Sequence, residues 1–198
     1  DKDVLRSVKE PFAPSGGLKL LTGNLGRSVI KVSSVKEEHF VVKASAEVFD
    51  DQDDVIVAFK QGKLNKDVIV VVKNQGAHSI GMPELHKLTP TLGLLQNQGF
   101  KVALVTDGRM SGASGKVPAA IHLSPEAAMG GMIVKLETGD VIELNAHDGT
   151  LNCENIEEVK ARPGTDSADF NSFGVGRELF NRLKPLVSAS EDGASFVI

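Results

Sequence analysis

Cysteine is nearly absent from this 198-residue chain: Cys153 stands alone. A single thiol excludes an internal disulfide and fits a reducing, cytoplasmic setting. Nor can one thiol hold an iron–sulfur cluster, which draws on several thiolates. Cys153 follows a Gly-Thr turn in apolar surroundings and reads as an inert packed thiol rather than a nucleophile. Long apolar runs are missing too. None approaches the ~20 residues of a membrane span, so no membrane partner is expected. The opening DKDVLRSVKEPFAPSGG has no apolar signal-peptide core and no initiator Met. The chain is therefore expected to start after processing or inside a longer protein. Positive charge is not in excess: 22 Lys and Arg face 26 Asp and Glu, a net charge of -4. That argues against a nucleic-acid surface built on bulk charge. His39, His78, His122 and His147 lack the spacings of a histidine metal site. Internal repeats are absent.

What is present is enough for one substantial domain with a sizeable core. Pro11, Pro14, Ser15, Gly16 and Gly17 make a breaker-rich stretch, so residues 1–17 read as a linker and 18–198 as the domain. Leu18 to Val35 reads as two strands around TGNLGRS, and Phe40 to Phe49 as a third. Asp50, Asp51, Asp53 and Asp54 before VIVAFKQG signal a helix start, and Gly62 its end. DVIVVVK (67–73) and KVALVT (101–106) are the continuous β-branched runs of buried strands. Leu85 to Gln98 reads as a helix interrupted near Pro90. SPEAAMGG suggests a short helix with Ser124 as N-cap and Pro125 first inside it. MIVKLETGDVIELNAHDG reads as a hairpin turning near Thr138 to Asp140. NIEEVKAR and the tail FGVGRELFNRLKPLVSAS read as helical. The pattern is α/β or β-rich.

Three loops can carry chemistry. DGRMSGASGK (107–116) follows a buried strand, and Gly108, Gly112 and Gly115 permit close approach of a ligand. Exposed N–H groups there can bind an anion. The spacing is neither a nucleophile elbow nor a Walker A loop. A purely structural turn is the alternative. In GMPELHK (81–87), Glu84 follows Pro83 near a helix start. It reads either as a first-turn carboxylate that complements the helix dipole or as a hard oxygen ligand for Mg²⁺. LTGNLGRS (21–28) is a substrate-binding loop or a plain turn.

GNLGRSVIKVSSV, KNQGAHSIGMPELHKLTP, DGRMSGASGKVPAAIHLSPEA and GVGRELFNRLKPLVS together resemble, in order, the C-terminal third of the dihydroxy-acid and phosphogluconate dehydratase family. The blocks ELHKLTP, SGASGKVPAAIH and GRELF look like its phosphogluconate branch. The resemblance implies a β-barrel-like swivelling domain flanked by helices, similar to that of aconitase-type enzymes. It implies dehydration of 6-phospho-D-gluconate to 2-dehydro-3-deoxy-6-phosphogluconate. In the family a serine alkoxide removes the C2 proton, an iron–sulfur cluster, taken here as 4Fe-4S, acts on the C3 hydroxyl, and Mg²⁺ holds the carboxylate end. The base carries over to Ser111 and the Mg²⁺ ligand to Glu84.

The cluster cysteines belong to the family's N-terminal domain, so this chain alone is expected to be inactive. The complete enzyme is expected to be a homodimer. Family members often place a hydroxyl two residues after the base; here that position is Ala113, with Ser114 next as the replacement. Arg109 and Lys116, with Lys87 beside them, are phosphate partners on charge grounds. Two other readings stand: a sister dehydratase for a branched dihydroxy acid or an aldonic acid, and a non-catalytic module that reuses the fold.

Overall fold

The computed structural model describes residues 1–13, 16–111, 116–164, 174 and 176–197. Its first 13 residues are exposed throughout.

The two β-branched runs lie at the centre. DVIVVVK supplies β4 (Val68–Val72) and KVALVT supplies β5 (Val102–Thr106), every residue of both buried. They pair in parallel, Val70 opposite Leu104. β3 (Val41–Phe49) joins β4 in parallel, and β6 (Ala119–Ser124) joins β5 likewise. Parallel neighbours require crossovers. Helix α1 (Gln52–Lys60) makes the first and α2 (Leu88–Asn97) the second. α1 is capped by Asp51, whose side chain accepts the N–H of Asp53. Strand alternation then sorts two cores. Val68, Val70, Val72 and Leu104 face the helices and pack on Val55, Leu88, Leu92 and Leu95. Ile69, Val71, Ala103 and Val105 face the barrel interior with Leu21, Ile30, Ile142 and Leu144.

Two antiparallel hairpins complete the barrel: β1 (Leu18–Gly23) with β2 (Gly26–Lys31), and β7 (Val141–Asn145) with β8 (Thr150–Cys153). The closed order is β1-β2-β6-β5-β4-β3-β7-β8. β1 and β8 meet through one pair, Thr22 with Thr150. The side chain of Asn24 reinforces this seam. Its Nδ2 donates to the Cys153 carbonyl at 2.8 Å, and its Oδ1 accepts the Cys153 N–H at 2.8 Å. Gly23 lies so close that an added Cβ would stand 1.9 Å from the Leu151 carbonyl oxygen.

Outside the barrel, α3 (Ile156–Ala161) and α4 (Arg177–Asn181) follow. Arg162, just past α3, donates to both oxygens of the buried Asp140, at 2.6 and 2.8 Å. Burial pushes the Asp140 carboxyl up, but the Arg162 bonds, the Glu137 N–H and Asn155 outweigh it and hold it below its ordinary value.

The α/β barrel with flanking helices agrees with the class read from the sequence. Four local expectations need correction. The hairpin turns at 146–149, not at Thr138 to Asp140, because residues Met132–Lys135 form a 3-10 helix and β7 takes β3 as its other partner. Ser124 ends β6 instead of capping a helix; the short helical turn is Ala127–Met129, preceded by Glu126. Pro90 sits in the first turn of α2, where a missing N–H costs nothing. β6 itself was not expected.

Candidate functional site

β3 to β6 run parallel, so their following loops gather at one edge, the usual place for a site in such sheets. Two buried carboxylates lock these loops together. Asp107, just after β5, is fully buried. Its Oδ1 accepts the N–H of Gln75 and its Oδ2 that of Ala127, both at 2.9 Å. Burial pushes its carboxyl up to about 6, against the lowering effect of these donors, and nearby Glu126 adds to the rise. Glu126, after β6, accepts the N–H of Ala77 at 2.9 Å and of His78 at 2.7 Å. The His78 Nδ1 lies 3.3 Å from the same carboxylate. Two glycines make room for this. A Cβ on Gly76 would meet the Glu126 carboxylate at 2.4 Å, and one on Gly108 would meet Gln75 Cβ at 2.6 Å.

On this scaffold the GMPE and DGRMS segments lie side by side. Glu84 and Arg109 form a parallel β-bridge, and the Leu85 N–H donates to the Arg109 carbonyl at 3.2 Å. The Arg109 Nε donates to the Met82 carbonyl at 2.6 Å, and its Nη1 is 3.6 Å from Glu84 Oε2. Glu84 Oε1 accepts the N–H of Ser111 at 2.5 Å. The two residues matched by motif, 27 positions apart, thus meet. Glu84 lies upstream of α2, whose N-cap is Lys87, so the dipole reading of Glu84 loses its helix. Met110 turns inward and accepts from the Thr89 hydroxyl through sulfur at 3.5 Å.

Ser111 is exposed and lines a cleft of about 160 Å³ with Leu18, Lys31, Met110, Val117, Ala119 and Ile121. A second groove of about 400 Å³ shares Leu18 and Ile121 and contains Arg27, His122 and Glu191. Lys116 is exposed at the far end of the DGRMSGASGK loop, where its carbonyl accepts from Gln96. Ser114 lies outside the described residues. Lys87 points elsewhere, its Nζ 3.7 Å from Asp53. Motif reasoning passed over Asp107, Glu126 and Gln75, and read His78 only for metal spacing. Their partners are backbone groups of distant loops, and no local pattern marks such contacts.

Among the described residues no group of three or more His, Cys, Asp or Glu side chains can hold a metal ion. Glu84 fits one place in a Mg²⁺ shell, since that ion commonly takes one or two carboxylates and completes itself with water and substrate. Cys153 does not fit an iron–sulfur cluster. It lies buried against the barrel core, its thiol bonded to Asn155 Oδ1 at 3.1 Å, and burial raises its pKa.

The closed mixed barrel thus presents, at the end of its parallel strands, an exposed serine whose N–H is held by a carboxylate. The chain belongs to the family described as Dihydroxy-acid/6-phosphogluconate dehydratase C-terminal, which residues 3–194 match. It is 54% identical over 195 residues to the phosphogluconate dehydratase of Zymomonas mobilis, covering 98% of this chain and 32% of that one. Against the phosphogluconate dehydratase of Escherichia coli K12 it is 48% identical over 199 residues, with coverages of 100% and 33%. A dihydroxy-acid dehydratase of Agathobacter rectalis is 41% identical over 165 residues, 81% of this chain and 29% of that one. The chain thus spans about a third of the length of these curated relatives.

Proposed function

We propose that this chain carries the base of a hydro-lyase site that dehydrates 6-phospho-D-gluconate to 2-dehydro-3-deoxy-6-phosphogluconate. The observation that carries the reading is the Glu84–Ser111 contact, which joins two family motifs at one point. Relatives named phosphogluconate dehydratase match 98–100% of the chain at 48–54% identity, and the dihydroxy-acid relative matches 81% of it at 41%.

In this reading the Ser111 oxygen, as alkoxide, takes the proton from C2. The C–H electron pair becomes the C2–C3 double bond as the C3 hydroxyl leaves and is protonated to water. The resulting enol then takes a proton at C3 and becomes the 2-keto acid. A serine hydroxyl at pH 7 is too weak a base without a polarising neighbour. Glu84 would hold a Mg²⁺ ion, which would supply that positive charge and a seat for the substrate's acid end. Arg109 braces the Met82 carbonyl against Glu84 and adds charge beside the base. Lys116 and Ser114 complete the substrate-binding set. A 4Fe-4S cluster would act on the C3 hydroxyl and would take its thiolates from outside this chain, since Cys153 is buried in the barrel. The complete enzyme is a homodimer in a cytoplasmic setting.

The test is kcat/KM of the full-length enzyme for 6-phosphogluconate, gluconate and a branched dihydroxy acid. The reading expects 6-phosphogluconate to lead. Faster turnover of the branched acid would move the chain to the sister activity.

A further inference from the structure

Ser111 occupies one end of a longer depression. Its cleft and the neighbouring groove share Leu18 and Ile121 as walls. β2 runs past both, with Lys31 in the first and Arg27 in the second. Arg27, Val29 and Lys31 fall on one face of that strand by alternation, and Arg27 and Lys31 are roughly 13 Å apart along it. Apolar Leu18, Leu20 and Ile121 form the walls, and the polar groups stand at the ends. That is how small-molecule sites are commonly built.

The far end shows two further signs of use. His122 has φ 55 in the middle of β6, a left-handed conformation that a non-glycine residue in a strand adopts only under constraint. The constraint is a bulge: the β2–β6 register shifts between Arg27 and Val29, and the His122 N–H turns away to the Gly108 carbonyl at 2.9 Å. Bulges re-aim side chains, and they concentrate beside active sites. His122 is half-buried and lines the groove; burial first, then the charge of Arg109, lowers its pKa. The second sign is Glu191. This tail carboxylate lies 3.3 Å from the Arg27 Nε, both side chains about half exposed. The adjacent Ser190 hydroxyl reaches Met82 sulfur at 3.9 Å, so the tail spans from Arg27 to the GMPE loop.

We propose that Arg27, flanked by His122, binds the distal anionic group of the substrate, and that Glu191 occupies this place while substrate is absent. The inference rests on the phosphorylated sugar acid proposed above. Ser111 would then address C2 at one end while Arg27 fixes the phosphate at the other. A phosphate offers Arg two parallel charged bonds, a geometry that a carboxylate 3.3 Å from one Nε atom does not use. An exposed ion pair is weakly held, so Glu191 is displaceable.

The experiment compares 6-phosphogluconate with gluconate in the full-length enzyme, in wild type, Arg27→Gln, Arg27→Lys and Glu191→Gln. One charged contact to the phosphate corresponds to a discrimination of roughly 10- to 150-fold. Arg27→Gln should lose at least ~10-fold of the preference for the phosphorylated acid, through a raised KM and not a lowered kcat. Arg27→Lys should recover part of it, which separates lost charge from lost folding. Glu191→Gln should lower the KM for 6-phosphogluconate by removing the competitor. An Arg27→Gln enzyme with wild-type discrimination would overturn the proposal, as would a loss confined to kcat. Wild type that turns over no 6-phosphogluconate removes the substrate reading itself, an outcome distinct from either.

Discussion

Gly76 and Glu126 fit as a space and its filler: a Cβ on Gly76 would stand 2.4 Å from the Glu126 Oε2. That carboxylate is held in place by the N–H groups of Ala77 and His78. Gly76→Ala must displace it and leave buried donors without their acceptor. The cost should be about 1–3 kcal/mol, read from the urea midpoint. A variant as stable as the parent would mean the loop relocates freely.

Asp107 makes stability depend on pH in the direction opposite to most carboxylates. Its folded value of about 6 lies above the ordinary 3.8. Its contribution is therefore fully present below pH 3.8 and is lost as pH rises through about 6. The difference corresponds to roughly 3 kcal/mol. Urea midpoints across this window should show the decline, and Asp107→Asn should flatten it. The same substitution should lower stability overall, because an amide nitrogen cannot accept from Gln75 or Ala127.

Asp140 behaves in the usual sense. Its lowered value gives stability that is present above its ordinary pKa and lost as pH falls. Arg162→Met leaves this carboxylate buried and short of its strongest partner. Thermal or urea unfolding should show a loss of about 3–5 kcal/mol. Adding Asp140→Asn should restore part of it, since the uncompensated charge is then gone.

At the site, Ser111→Ala in the full-length enzyme should lower kcat by at least ~10² with the cluster absorbance and fold intact. Glu84→Gln keeps an oxygen for the Ser111 N–H but removes the charge. Its activity should fall and recover partly with added Mg²⁺, because mass action offsets weakened binding. Normal Mg²⁺ dependence in that variant would take the ligand role from Glu84.

The isolated 198-residue chain should be colourless and should not dehydrate 6-phosphogluconate. Its one thiol is packed against the barrel core and bonded to Asn155. Turnover by this chain, purified without iron, would refute a site shared with another region.

The central strands were legible because burial on both faces imprints a continuous β-branched run, as in Val68–Val72. α1 was legible because Asp51, Asp53 and Asp54 mark its start and Gly62 follows its end. β6 was not. It is six residues long, its partners β2 and β5 lie elsewhere in the chain, and the bulge at His122 breaks its alternation. The choice between the TGD and HDG turns also escaped local reading, since both are competent. What decides is the pairing of β7 with β3, 104 residues earlier at Asn145 and Val41 and set by no local signal. Motif reading singled out Ser111 and Glu84, which the fold brings into contact. Asp107 and Glu126 escaped because carboxylates bonded to remote backbone groups leave no spacing to read.

The seam that closes the cylinder is the backbone pair Thr22–Thr150, reinforced by the side chain of Asn24. That side chain does for β1 and β8 what a further rung of backbone pairing would do, and it is a single replaceable amide. Asn24→Ala would leave the Thr22–Thr150 pair and the residue 24 N–H on Asn152 Oδ1 to hold the seam. A sheet opened there has two unsatisfied edges, and such edges recruit strands from other chains. Asn24→Ala is therefore expected to promote self-association, although Asn24 lines neither the Ser111 cleft nor the groove beside it.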